Sequence, residues 1–198
     1  MIRRTLKRTL TGMAMTLCSL VVAQAQAPDV AALASHLSPL PRAEGKVSIP
    51  LDIKSPWRSI NAAGKVTVSE GRLVVSYVIA PGQPAGAALL FGKGSLSDLR
   101  VLHIRATAEK GMQLLPTLQS ADGVAFSFPA FALVKGKTVD VELRADELSY
   151  FAPQSKVGEP DHFSPGDAVI LTLLDVSGFT GGSGAASFTI ESIEGELR

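Results

Sequence analysis

An all-β fold, a β-sandwich of the jelly-roll kind, is what this sequence predicts from Lys46 onward. Short runs rich in Val, Ile, Leu and Phe recur there, each broken by Gly, Pro, Asp or Ser. Several of these runs alternate apolar and polar residues, the period of a strand with one face buried and one wet. Helical spacing occurs only ahead of them.

That helix is expected over residues 28–37. Pro28 suits a first helical turn, and Val30, Leu33, Ala34 and Leu37 share a face until Pro39 and Pro41 stop it. Strands are then expected at 47–53, 65–69, 72–80, 87–92, 100–108, 113–120, 125–131, 138–144, 168–176 and 187–194. In 72–80, Leu73, Val75, Tyr77 and Ile79 fall on one side, which places Tyr77 in the core. In 138–144, Val139, Val141 and Leu143 oppose Asp140, Glu142 and Arg144. The run AVILTLLDV is apolar on both faces until Asp175, as a central strand covered on both sides would be. Ser69-Glu70-Gly71, Asp122-Gly123 and Lys135-Gly136-Lys137 read as hairpin turns. Short strands in this number point to a sandwich.

The first residues have a different logic. Arg3, Arg4, Lys7 and Arg8 precede an apolar run from about Gly12 to Ala23, then Ala23-Gln24-Ala25. This is the layout of a secretory signal peptide at residues 1–25, and the run is too short to span a bilayer. The Arg3-Arg4 pair resembles a twin-arginine signal, but the residues after it match that signal poorly, so the general secretory route is expected. Cys18, the one cysteine, lies inside the run behind Leu17, where a lipoprotein signal needs a small residue. The chain after the leader then has neither disulfide nor thiolate, and its stability rests on its core. Residues 26–45 form a helix and linker, and residues 46–198 the sandwich. The leader holds four of the 19 Lys+Arg and none of the 18 Asp+Glu, leaving 15 against 18 and a charge of −3. That balance gives no basic face for nucleic acid. The expected place is the periplasm or the medium, with a domain not embedded in a membrane.

Three segments carry a resemblance. The first is LSDLRVLHIRATAEKGMQLLPTLQSADGVAFSFPAF, the second KGKTVDVELRADELSYF, and the third AVILTLLDVSG followed by AASFTIESIEGEL. In order, they resemble the galactose-binding-like jelly-roll domains. That superfamily includes many carbohydrate-binding modules and the complex I intermediate-associated protein family. Phe188, Ile190, Glu191 and Ile193 match its closing Phe-x-Ile-Asp-x-Ile strand, with Glu for Asp. Where members often carry a tryptophan ahead of the 138–144 strand, this chain has Gly136-Lys137. The resemblance implies a non-catalytic binding module whose partner is a polysaccharide or glycan, or alternatively a protein of the cell envelope. It also allows a structural calcium ion near the terminal strands, with Glu191 and Asp52 as the matching positions; no other cofactor is expected.

The residues themselves narrow the chemistry. GFTGGSG, residues 178–184, has the glycines of a phosphate cradle, but SFTIESIE follows it, a strand and not a helix N-terminus. It is expected to be a turn. His36, His103 and His162 have no zinc-helix spacing, and no Gly-x-Ser-x-Gly is present. Glycosidase carboxylates meet only through a fold, so a glycoside hydrolase is the less favoured reading. A sugar site needs an aromatic platform and polar groups for hydroxyls. Trp57 and Tyr150 are the platform candidates. His103 and Arg105 on the wet side of 100–108, with Gln113, Thr117 and Gln119 of the next strand and Arg144 beyond, are the expected polar patch.

Overall fold

The computed structural model describes residues 30–198 except Ile53 and Asp161. The leader at 1–25 and the start of the expected helix lie outside the described residues. The helix is α1, Val30–Ser35. No helix among the described residues is long and apolar enough to cross a membrane.

Among the described residues, fourteen strands follow in two antiparallel sheets. They are β1 (Arg42–Ala43), β2 (Lys46–Ser48), β3 (Trp57–Ser59), β4 (Lys65–Ser69), β5 (Arg72–Ile79), β6 (Ala85–Leu90) and β7 (Leu99–Ala108). Then come β8 (Met112–Ser120), β9 (Ala125–Ser127), β10 (Phe131–Leu133), β11 (Val139–Arg144), β12 (Ser149–Tyr150), β13 (Ala168–Asp175) and β14 (Gly184–Leu197). The first sheet is built on β14. One edge of β14 pairs with β5 along Gly184–Ile190 and with β2 along Glu194–Glu196, and the other pairs with β7, beyond which lies β11. The second sheet runs β12-β9-β8-β13-β6-β3, with β10 also on β8.

The expected sandwich is therefore the observed one, and its alternation holds. Leu73, Val75, Tyr77 and Ile79 of β5 point inward with Leu102 and Ile104 of β7 and Phe188 and Ile190 of β14. They meet Leu89, Leu114, Leu118, Leu171 and Leu173 from the second sheet. β13 is buried on both faces, as its continuous apolar run requires, and it pairs with β6 and β8. Ser69 pairs with Arg72, and the two residues between, Glu70 and Gly71, both have positive φ, as the tight hairpin turn needs.

The differences have local causes. The expected 47–53 strand stops at Ser48, because Pro50 has no N–H to give; Ile49 still donates to the Ile193 carbonyl at 3.1 Å. Residues 125–131 split into β9 and β10 around Phe128-Pro129-Ala130. β14 begins and ends three residues beyond the expected 187–194. It bulges at Glu191: Ile190 faces Ala106 and Ser192 faces Arg105. The bulge lets Ile190 and Ile193, three apart, both reach the core and turns Glu191 outward.

A polar contact crosses the core from Tyr77. The Tyr77 hydroxyl donates to Asp175 Oδ2 at 2.9 Å, with the Tyr77 ring edge-on to Phe188. Burial, and then the adjacent Asp175, push the Tyr77 hydroxyl well above the ordinary tyrosine value of 10.0. Tyr77→Phe should cost about 1–3 kcal/mol in urea unfolding, since Asp175 loses a buried donor. The folded state holds the Tyr77 proton where the unfolded chain releases it, so stability is intact below pH ~10 and falls as pH rises above it. The alkaline limb of the stability curve should be flatter in Tyr77→Phe.

Candidate functional site

His103 and Arg105 lie where expected, on the outer face of the first sheet. Each is held by carboxylates. Arg105 donates through Nε to Glu191 Oε2 at 2.8 Å and through Nη1 to both Asp140 oxygens at 3.0 and 2.9 Å. These partners raise its pKa further above the ordinary range, Glu191 most. His103 Nε2 is 2.9 Å from Glu196 Oε1, and Arg100 pairs with the same carboxylate. Arg144 forms a two-pronged pair with Asp146 at 3.0 and 2.7 Å.

The other members of the expected patch are elsewhere. After β7 the chain crosses from one sheet to the other, so Gln113, Thr117 and Gln119 on β8 occupy the opposite outer face from His103 and Arg105. The expected patch takes the next strand in sequence as sharing this face; β7 instead pairs with β11 and β14. Trp57 is a buried lid of the core, its Nε1 donating to the Pro50 carbonyl at 3.0 Å. Tyr150 packs edge-on against Phe126 and donates to the Val157 carbonyl at 2.7 Å. Of the two calcium positions, Glu191 holds Arg105. The Asp52 carboxylate accepts from the Ser55 hydroxyl, which most lowers its pKa, and from the Lys54 and Ser55 amides. No cluster of three or more His, Cys, Asp or Glu suited to a metal is found among the described residues.

A groove of about 720 Å3 opens instead at the rim of the second sheet. Its floor is Leu174 and Val176, on the outward side of β13's end. One wall is Ile60, Asn61 and Ala62 with Gly82, Gln83 and Pro84; the other is Phe151, Pro153 and Gln154, and Phe179 stands beside them. None of these side chains is titratable.

The local sequence explains each wall. Asn61 clamps its loop to the start of β6: its Oδ1 accepts from the Gly86 amide and its Nδ2 donates to the Pro84 carbonyl, both at 3.1 Å. GFTGGSG is a turn, as expected. Ser177–Thr180 makes one 3-10 turn, capped by Gly181 at φ 91, and β14 follows from Gly184. The Ser177 amide donates to Asp175 Oδ1 at 2.8 Å. Gly178 packs where no side chain fits: a Cβ would lie 2.6 Å from the Gln83 carbonyl oxygen and 2.8 Å from that of Ala80. The turn is thereby pressed onto the 80–83 loop, and Phe179 is left 59% exposed at its apex.

Residues 151–157 form a strap over the second sheet's outer face. The Phe151 amide donates to the Ala125 carbonyl at 2.8 Å, and the Lys156 amide to that of Gly123 at 2.9 Å. Gln154 Oε1 accepts from the Thr117 hydroxyl at 2.7 Å, and its Nε2 lies 3.3 Å from Thr172 Oγ1. Gln119 Nε2 donates to the Gln154 carbonyl at 3.1 Å. Asn61 and Gln154 thus each spend one of their two amide N–H groups internally. Asn61, Gln83, Gln154, Phe151 and Phe179 were not foreseen as site residues. The available signal was Phe179, one large apolar side chain among small residues in a loop.

The described chain superposes on solved sandwiches over most of its length. A family 11 carbohydrate-binding module of the cellulosomal cellulase Lic26A-Cel5E of Clostridium thermocellum matches with a TM-score of 0.59 at 10% identity, over 79% of this chain and 97% of that one. The Clostridium thermocellum module solved with a β-1,3-1,4-mixed-linked tetrasaccharide also gives 0.59 at 10% identity, over 79% and 98%. The fold is a β-sandwich jelly roll like that of these modules. A family 29 carbohydrate-binding module gives 0.50 at 12% identity, over 76% and 86%. No protein-family model matches the chain, and no curated protein matches it by sequence.

The ion pairs of the first sheet give a pH prediction. The hydrogen bond from His103, and then the Arg100 charge, hold the Glu196 carboxyl below its ordinary 4.5. Its contribution to stability is present above that value and is lost as pH falls through the lowered one. In urea unfolding from neutral pH down to about pH 3, Glu196→Gln should lose less stability than the parent chain.

Proposed function

We propose that this protein is an exported, non-catalytic carbohydrate-binding module that takes a neutral glycan in the groove beside Phe179. The observation that carries it is the chemistry of the lining: an exposed aromatic face, three carboxamides, and no acid, base or charge. A sugar ring has an apolar face for an aromatic side chain, and Phe179 supplies that partner. Its hydroxyls both donate and accept, as carboxamides do. The volume falls within the roughly 300–1,000 Å3 of small-ligand sites. The shared fold with carbohydrate-binding modules supports the same reading. The lining supports a binding role, since general acid–base catalysis in this groove would need a titratable group in reach. Export to the periplasm or medium rests on the leader at residues 1–25.

The test is calorimetry against soluble neutral polysaccharides: mixed-linked β-1,3-1,4-glucan, xylan, glucomannan and amylose. At least one should bind, and Phe179→Ala should weaken it about ten-fold or more, the loss of ~1.5 kcal/mol or more of apolar contact. The affinity should be level from about pH 5 to pH 9, since nothing in the groove titrates there. Binding that survives Phe179→Ala unchanged would place the glycan elsewhere. Failure of every glycan would point to the alternative partner, a protein of the envelope.

A further inference from the structure

The strap does more than wall the groove. It meets the outer face of the second sheet at its middle rung. Thr172 on β13 lies opposite Thr117 on β8 and Ala88 on β6, and the Gln154 carboxamide sits on both threonine hydroxyls. Both threonines are almost fully buried, at 0% and 1% exposure. Toward the C-terminal end of β13 the face opens as the groove over Leu174 and Val176. Toward its N-terminal end there is a separate hollow of about 290 Å3, lined by Ser120, Asp122, His162, Phe163 and Asp167. Beyond the strap the chain stays down: Phe163 stacks on Phe126 of β9 with ring centres 4.1 Å apart.

An extended polymer lying along this face would have to pass through Gln154. The strap holds by bonds from both of its ends and its centre: Phe151 and Ser155 to Ala125, Lys156 to Gly123, and Gln119 to the Gln154 carbonyl. The groove is therefore blind on the sheet side and open at the rim beside Phe179. We infer that it accepts the end of a glycan chain, or a short oligosaccharide, and not the middle of a continuous polymer. This deepens the carbohydrate reading and rests on it.

The experiment offers the unaltered protein each polysaccharide named above in two forms, intact and after partial endo-cleavage, at equal mass. For a chain-end site, half-saturation follows the concentration of ends, so a digest with about ten times the ends should half-saturate at about one-tenth the mass concentration. Half-saturation at the same mass concentration in both forms would overturn the inference, since it means that internal segments bind and the strap yields to them. Binding to neither form of any polysaccharide would instead overturn the carbohydrate reading itself. Borohydride reduction of the digest then sorts the ends: unchanged binding assigns the non-reducing end, and lost binding the reducing end.

Discussion

The hydrogen bond from Tyr77 to Asp175 joins the two sheets, and it is also where the core touches the groove. Tyr77 comes from β5 of the first sheet and Asp175 from the last position of β13 in the second. A carboxyl group buried to 1% exposure needs its oxygens satisfied, because an unmet polar group there costs on the order of 1–3 kcal/mol. Oδ2 is met by Tyr77 across the core and Oδ1 by the Ser177 amide just beyond the strand. The second bond starts the turn that carries Phe179. One side chain thus sets both the approach of the sheets at this end and the path of the chain into the rim loop.

The two outer faces divide the remaining work. On the first sheet, Arg100, His103 and Arg105 alternate with Glu191, Glu196 and Asp140 across β7, β11 and β14. Such exposed pairs add little individually, but they leave that face neutralised and its side chains engaged with one another. On the second sheet the strap covers the middle of the outer face, over Thr117 and Thr172. Its polar anchors are all neutral: two threonines, two glutamines, the Ser155 hydroxyl and backbone groups. What stays open is the margin that the strap does not reach.

How far the sequence foretold this depends on which physical rule each feature obeys. Strand faces follow a period of two, so the inward set Leu73, Val75, Tyr77 and Ile79 was readable at once, as was the double burial of β13. Which sheet a strand joins obeys no such local rule. The short link from β7 to β8 looks like a hairpin and is a crossing between layers, so His103 and Gln113, ten positions apart, end on opposite faces. The closing Phe-x-Ile-Glu-x-Ile segment carries part of the resemblance; its physical content is the bulge at Glu191, which puts both isoleucines inside. The groove was hidden for a different reason. Its walls come from four separate stretches of chain, and carboxamides have no spacing signature.

GFTGGSG shows how a local motif acquires meaning from what it packs against. Its glycines do not hold a phosphate, because the chain leaves them as a strand and offers no helix end. Gly178 is small so that the turn can touch the carbonyls of Ala80 and Gln83, and the Gly82 amide returns a bond to the Gly178 carbonyl at 3.1 Å. That close contact fixes the turn against the very loop that supplies Gln83. The glycines make the backbone approach possible, Asp175 holds the first amide, and the one bulky residue in the motif has only solvent and the groove to face. The turn thus holds Phe179 beside the loop that carries Gln83, and its glycines allow the close backbone contact that does so.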